Sequence, residues 1–176
     1  MAGEAATSTP WWEIVHQRFK THDIRLIAHV PDAVLTPLIR KLEADPFFHV
    51  VPLTREEEGI GVVSGGYLGG LRGALLMQGS GLGNSVNALG GLPLPYQLPF
   101  LLVISPRGRL NEFNPSQVPM GRAVPKVLDA LGIETVTLER LDMLAEQLDQ
   151  TIKTCFSTSF PVALIVSTLL SGGKKS

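Results

Sequence analysis

Gly73-Ala-Leu-Leu-Met-Gln78 and Phe100-Leu-Leu-Val-Ile-Ser105 decide the fold. Both are continuous apolar runs bounded by turn residues, the pattern of strands buried on two faces rather than wetted on one. Leu82 to Gly91 between them reads as a helix. Strand, helix and strand of this kind make a βαβ unit, and such units build a parallel sheet covered on both sides. The same alternation continues in both directions. Further strands are expected over 24–30, 47–53, 134–138 and 160–167, and further helices over 11–20, 33–42, 56–68, 124–131 and 141–156. Residues 106–118, rich in Gly, Asn, Pro and Ser, read as a long loop. The expectation is one α/β domain over 10–170. It is doubly wound, with a six-stranded, mainly parallel sheet and helices on both faces. Flexible ends are expected at 1–9 and 171–176. In such sheets ligands bind at the carboxyl ends of the strands. Attention therefore goes to the segments that start near 31, 54, 79, 106 and 139.

Composition narrows the function. The 176 residues carry 15 Lys and Arg against 16 Asp and Glu, a net charge of -1. No basic excess points to nucleic acid. With 44% apolar and 18% charged residues the chain is not disordered, and much of its surface is expected to be covered, in part by a partner. A chain of this length buries about 70% of its unfolded surface and needs no staples. The single cysteine, Cys155, excludes an internal disulfide and a cysteine zinc knuckle. The first ten residues lack the basic start and apolar centre of a signal peptide, and no apolar stretch is long enough to span a bilayer. A cytoplasmic setting without membrane contact is expected. The four histidines show no metal spacing; His29, at a strand end, is the one closest to the expected site.

Two segments carry candidate chemistry. Twelve of the eighteen glycines fall between Gly59 and Gly91. Each costs roughly 1 kcal/mol in a helix interior, so close approach to a ligand or another helix must be the reason. The run Gln78-Gly-Ser-Gly-Leu-Gly-Asn84 joins a strand to a helix, and its backbone N–H groups suit an anion. It is neither a Walker A loop, since no Lys-Ser or Lys-Thr follows, nor a dinucleotide fingerprint, since Asn84 stands at the third glycine position. The bland alternative is a tight, closely packed turn. The second segment, Arg55-Glu-Glu-Glu58, opens the helix after the second strand. Acids there complement the helix dipole. Consecutive helical positions point about 100° apart, so the three cannot share one solvent face and one is expected to point into the sheet or an interface.

Glu57 followed by Gly66-Tyr67 resembles the Glu-x8-Gly-Tyr segment of thiamine diphosphate-dependent decarboxylases. Residues 55–70 (REEEGIGVVSGGYLGG) and 77–89 (MQGSGLGNSVNAL) resemble the sulfopyruvate and phosphonopyruvate decarboxylases more closely. Val30-Pro31-Asp32 and Arg107-Gly108 fit the same family. The likeness runs from about residue 14 to 168, and it covers the pyrimidine-binding domain only. The Gly-Asp-Gly…Asn motif of the family's diphosphate domain does not occur.

The resemblance implies a chain similar to the family's α subunit, holding half of an active site. Thiamine diphosphate would be shared with a diphosphate-domain β subunit, and magnesium would be held by that partner. A hetero-oligomer with at least two copies of each chain is implied. The matched glutamate, Glu57, would hydrogen-bond the aminopyrimidine ring; Glu56 and Glu58 would face solvent or a partner. Gly81 and Gly83 would lie against the cofactor. Asp32, Asn84, Arg107 and Arg109 are candidates to meet an anionic 2-keto acid such as a 3-sulfo or 3-phosphono pyruvate. For Asp32 the competing role is a helix N-cap. Gly79 stands where relatives often have Asn, and Pro106 where some have Trp, so the substrate is left open. Two other classes stand beside this reading. One is a non-catalytic scaffold or regulatory module of the same fold; the other is a stand-alone phosphate- or nucleotide-binding protein using the Gly79 segment.

Overall fold

The structure, a computed structural model, describes residues 9–108 and 112–173. The elements run α1 (Trp11–Thr21), β1 (Ile24–His29), α2 (Thr36–Glu43), β2 (His49–Pro52), α3 (Glu56–Leu68), β3 (Arg72–Gln78), α4 (Gly79–Gly91), α5 (Pro93–Tyr96) and β4 (Leu101–Ser105). A 3-10 turn (Pro115–Gln117), α6 (Val118–Ala130), β5 (Glu134–Leu138), α7 (Leu144–Thr158), β6 (Val162–Val166) and α8 (Thr168–Ser171) follow. The strands form one six-stranded sheet in the order β2-β1-β3-β4-β6-β5, and every pairing is parallel.

The apolar runs explain this sheet. Side chains alternate across a strand, so a run with no polar interruption must bury both faces. Ala74 and Leu76 of β3 join one core cluster, while Leu75 and Met77 join the other. β4 divides in the same way, Leu101 and Val103 against Leu102 and Ile104. The first cluster is completed by α1, α2 and α7 through Phe19, Leu38 and Leu148. The second is completed by α3, α4 and α6 through Ile60, Leu82 and Leu128. Each such side chain, fully buried, contributes roughly 1.5–3 kcal/mol.

The winding places a crevice. β1 and β3 are neighbours, but β1 leads into α2 on one face and β3 into α4 on the other. Helices leaving adjacent strands on opposite sides open a gap at the carboxyl edge, the topological switch point of an α/β sheet.

Three local expectations are corrected. The segment Gly79–Asn84 is not a loop: α4 begins at Gly79, directly after β3. The glycines lower intrinsic helicity but leave the backbone free to helix once packing favours it. The long loop ends early, because the 3-10 turn and then α6 occupy 115–130. Pro119 suits a helix start, where its missing N–H is no loss, and Pro125 is carried inside α6. α2 begins at Thr36, because residues 32–35 form a turn around Asp32. Of the expected flexible ends, 1–8 and 174–176 lie outside the described residues, while Ser171 closes α8. Among the described residues no helix is long and apolar enough to cross a membrane.

Candidate functional site

The carboxyl edge around β1, β3 and β4 gathers most of the residues singled out by the sequence. Asp32 follows β1 and is 5% exposed. Its Oδ1 accepts the N–H groups of Val34 and Leu35, both at 2.9 Å, and its carbonyl accepts the Thr36 hydroxyl at 2.8 Å. Asp32 therefore caps the turn that leads into α2, at the rim of the crevice.

The start of α3 separates the three acids. Glu58 is exposed, and its Oε2 accepts the N–H groups of Thr54 and Arg55 at 3.2 and 3.3 Å. Glu57 is half-exposed, with Oε1 3.0 Å from Nε of Arg55. Glu56 lies against α4: a Cβ on Gly81 would fall onto the Glu56 Cγ and carboxyl group. Glu56, expected to face solvent or a partner, is instead the acid packed between the two helices. The rotation of about 100° between successive helical positions produces this arrangement. Glu57 remains at the surface beside it.

Gly79 and Ser80 form the first turn of α4, whose N-cap Gln78 makes no side-chain capping bond. The Gln78 amide donates instead to Ser80 Oγ at 2.8 Å and to Gln117 Oε1 at 3.1 Å, tying β3 to the 3-10 turn. Gly81 is buried under Glu56, and Gly83 is exposed beside the Met120 methyl. Asn84 is exposed and makes no side-chain hydrogen bond among the described residues.

Arg107 and Glu112 form a two-pronged ion pair at the tip of β4. Nε and Nη2 of Arg107 each donate at 2.7 Å, to Oε2 and Oε1 respectively. The side chains are only 15% and 6% exposed. Glu112 also accepts the N–H groups of Gly108 and Asn114, both at 2.9 Å. The guanidinium fork, aided by these N–H groups, holds the Glu112 carboxyl well below the usual carboxylate range. The same fork raises the proton affinity of Arg107, and the charge of Asp32 adds to that effect. Arg109 lies outside the described residues. His29, two residues before Pro31, is 2% exposed, and burial depresses its proton affinity although Glu43 opposes the effect.

The edge thus brings Asp32, Gly79, Gly81 and Arg107 together, with Glu56 over Gly81. Glu57 and Asn84 stand at the surface of the same edge. Sequence reasoning missed Gln78, Gln117 and Glu112. An acid five residues after Arg107, in the same loop, was the available signal for Glu112; for the two glutamines there was none.

No protein-family model matches the chain. The chain is 39% identical over 155 residues to sulfopyruvate decarboxylase subunit alpha of Methanocaldococcus jannaschii, spanning 88% of this chain and 92% of that protein. To sulfopyruvate decarboxylase subunit alpha of Methanothermobacter thermautotrophicus it is 38% identical over 154 residues, 88% of this chain and 93% of that protein. A phosphonopyruvate decarboxylase of Streptomyces viridochromogenes is 37% identical over 112 residues, 63% of this chain and 28% of that longer protein. The name subunit alpha implies a second kind of subunit. Near-complete coverage at this identity, on an α/β frame with its polar edge at the switch point, means that the chain belongs to the sulfopyruvate decarboxylase subunit alpha family and is a subunit of a decarboxylase.

Proposed function

We propose that the chain is the pyrimidine-binding half of a thiamine diphosphate-dependent 2-keto acid decarboxylase. Its substrate is a pyruvate with a sulfonate or phosphonate on carbon 3, the chemistry in the names of its relatives. A β subunit carries the diphosphate and magnesium. At least two copies of each chain assemble.

The observation that carries this reading is Glu57, a half-exposed carboxylate on the rim of the sheet, open to a group held by another chain. The fit extends to one end of the cofactor. Gly83 is exposed on α4 with no side chain to obstruct a ring, whereas Gly81 is covered by Glu56. When bound, the cofactor supplies the electron sink for loss of carbon dioxide.

The chain's own residues bind and orient. The protonated Glu57 carboxyl would donate a hydrogen bond to a ring nitrogen and share that proton with it, a task for a positioned carboxyl group. Gly83 contributes by lacking a side chain, since its N–H is spent in the helix. Arg107, with Asn84 and the Asp32 turn, meets the acid group of the substrate, for which a guanidinium is well shaped.

The test is Glu57→Gln in the complex reconstituted with the co-purified partner. Decarboxylation of 3-sulfopyruvate and 3-phosphonopyruvate is measured, with cofactor binding followed by calorimetry. The expected result is a fall in kcat of about 10²–10⁴-fold with the fold and assembly unchanged. Wild-type turnover in this variant rejects the role of Glu57, and absence of a partner chain rejects the split enzyme.

A further inference from the structure

We infer that Glu112 is a positioning residue, which fixes the Arg107 guanidinium at the carboxyl edge of the sheet so that its remaining donors face an anionic substrate. This rests on the proposal that Arg107 meets the substrate's acid group.

The geometry has three parts. First, β3 lies between β1 and β4 in the sheet, and the backbone of Arg107, which follows β4, lies beside the start of α4, which follows β3. Gly79 stands there, where a Cβ would come within 3.7 Å of the Arg107 backbone N and 3.5 Å of the Ser105 carbonyl. Second, Glu112 is saturated. An ionised carboxylate offers about four acceptor positions. Those of Glu112 are filled by Nε and Nη2 of Arg107 and by the N–H groups of Gly108 and Asn114. Glu112 has no capacity left for a ligand, and its role is internal. The guanidinium has five N–H donors and gives two to Glu112, which leaves three. Asp32 Oδ1 is occupied by Val34 and Leu35, and among the described residues no hydrogen bond joins Asp32 to the guanidinium.

Third, the backbone under the pair is pinned on both sides. Gly108 has φ +72°, and a Cβ there would strike the Gln117 carbonyl. A Cβ on Gly121 would strike the Arg107 carbonyl. A guanidinium held at its root by backbone contact and at its head by a fork is ordered before substrate arrives. Such preorganisation improves binding by removing the ordering cost. The unsatisfied first-turn N–H groups of α4, beside Gly79, add to the field that an anion meets.

The experiment is a double-mutant cycle in the reconstituted complex, using Arg107→Ala, Glu112→Gln and the double variant. KM and kcat are measured for 3-sulfopyruvate, together with the inhibition constant of 3-sulfopropanoate, an unreactive dianion. Arg107→Lys is included because lysine cannot form the fork, and it covers the case in which Glu112→Gln fails to assemble. The proposal expects Glu112→Gln and Arg107→Lys each to raise KM and the inhibition constant about tenfold, with kcat changed less than about threefold, and the double variant to be no worse than Arg107→Ala. If Arg107→Ala raises KM while Glu112→Gln and Arg107→Lys leave it unchanged, Glu112 is a strut only and the inference fails alone. Multiplying effects in the double variant lead to the same rejection. If Arg107→Ala changes neither constant, the substrate role of Arg107 falls, and this inference with it.

Discussion

Glu56 of α3 occupies the space that a side chain on Gly81 of α4 would need, so two helices on one face of the sheet are fitted together through an acid and a missing methyl group. What would yield to a methyl there is the far end of a flexible side chain, not backbone. Gly81→Ala is therefore expected to keep the Tm or raise it, since alanine gains about 1 kcal/mol over glycine in a helix. The Glu56 carboxyl has to move, and Glu57 is the next residue of α3. In the assembled enzyme kcat/KM should fall more than about tenfold, because small misplacements at a reacting centre are costly. Adding Glu56→Ala should restore part of the loss. Thermal unfolding and steady-state kinetics on the three variants check this.

Gly121 is the opposite case. A Cβ there would meet the Arg107 backbone carbonyl, which no rotamer change can move. Gly121→Ala should destabilise by about 2–3 kcal/mol, as overpacking of a tight contact does. In a chain of this size the Tm should fall on the order of 5–10 °C, measurable by calorimetry.

His29 gives a pH dependence. Neither ring nitrogen has a hydrogen-bond partner, and the nearest carboxylate, Glu43, is 3.6 Å away. Burial depresses its proton affinity in the fold. As pH falls below about 6.5, the unfolded chain binds this proton first. Stability is then lost on the acid side until the depressed native value is reached, below which the loss stops. His29→Leu should remove this contribution. Stability should rise on the order of 1 kcal/mol at pH 7, from loss of unpaired buried nitrogens, and by more at pH 5. Urea unfolding of both chains across that range is the measurement.

Cys155 lies fully buried in α7, and burial pushes its thiol up to about 12. The thiolate is the reactive form, so a disulfide reagent at pH 8 should leave the native chain unlabelled over hours. Labelling should follow global unfolding in denaturant. Fast labelling of the native protein would mean that α7 opens locally.

Much of the frame was legible because it rests on strands buried on both faces. The runs at 74–77 and 101–104 are wholly apolar, and β5 falls where Glu134 to Leu138 was expected. α3 was also readable at its observed limits, since the acids at 56–58 mark a helix start. The beginnings of α4 and α6 were hidden by residues with poor helix propensity, Gly79, Gly81, Pro119 and Pro125, whose conformation packing decides. At the site, the likeness of Glu57, Gly66 and Tyr67 to a family segment singles out Glu57 for test. The inward turn of Glu56 could not be read, because three identical acids in succession give no signal of direction. The Gln78–Gln117 bond joins segments that only the folded loop brings together.

Because all six strands run parallel, none pairs with the strand that immediately follows it through a tight hairpin. Even the β1–β3 register, Ile27 beside Ala74, must wait for the intervening helices and β2 to be made. Sheets closed by such distant pairings fold slowly for their size, since loop entropy is lost before contacts return it. During that delay the apolar runs of β3 and β4 are open to other chains. Yield of soluble protein should therefore depend on synthesis rate and temperature more than on the final stability of the native state.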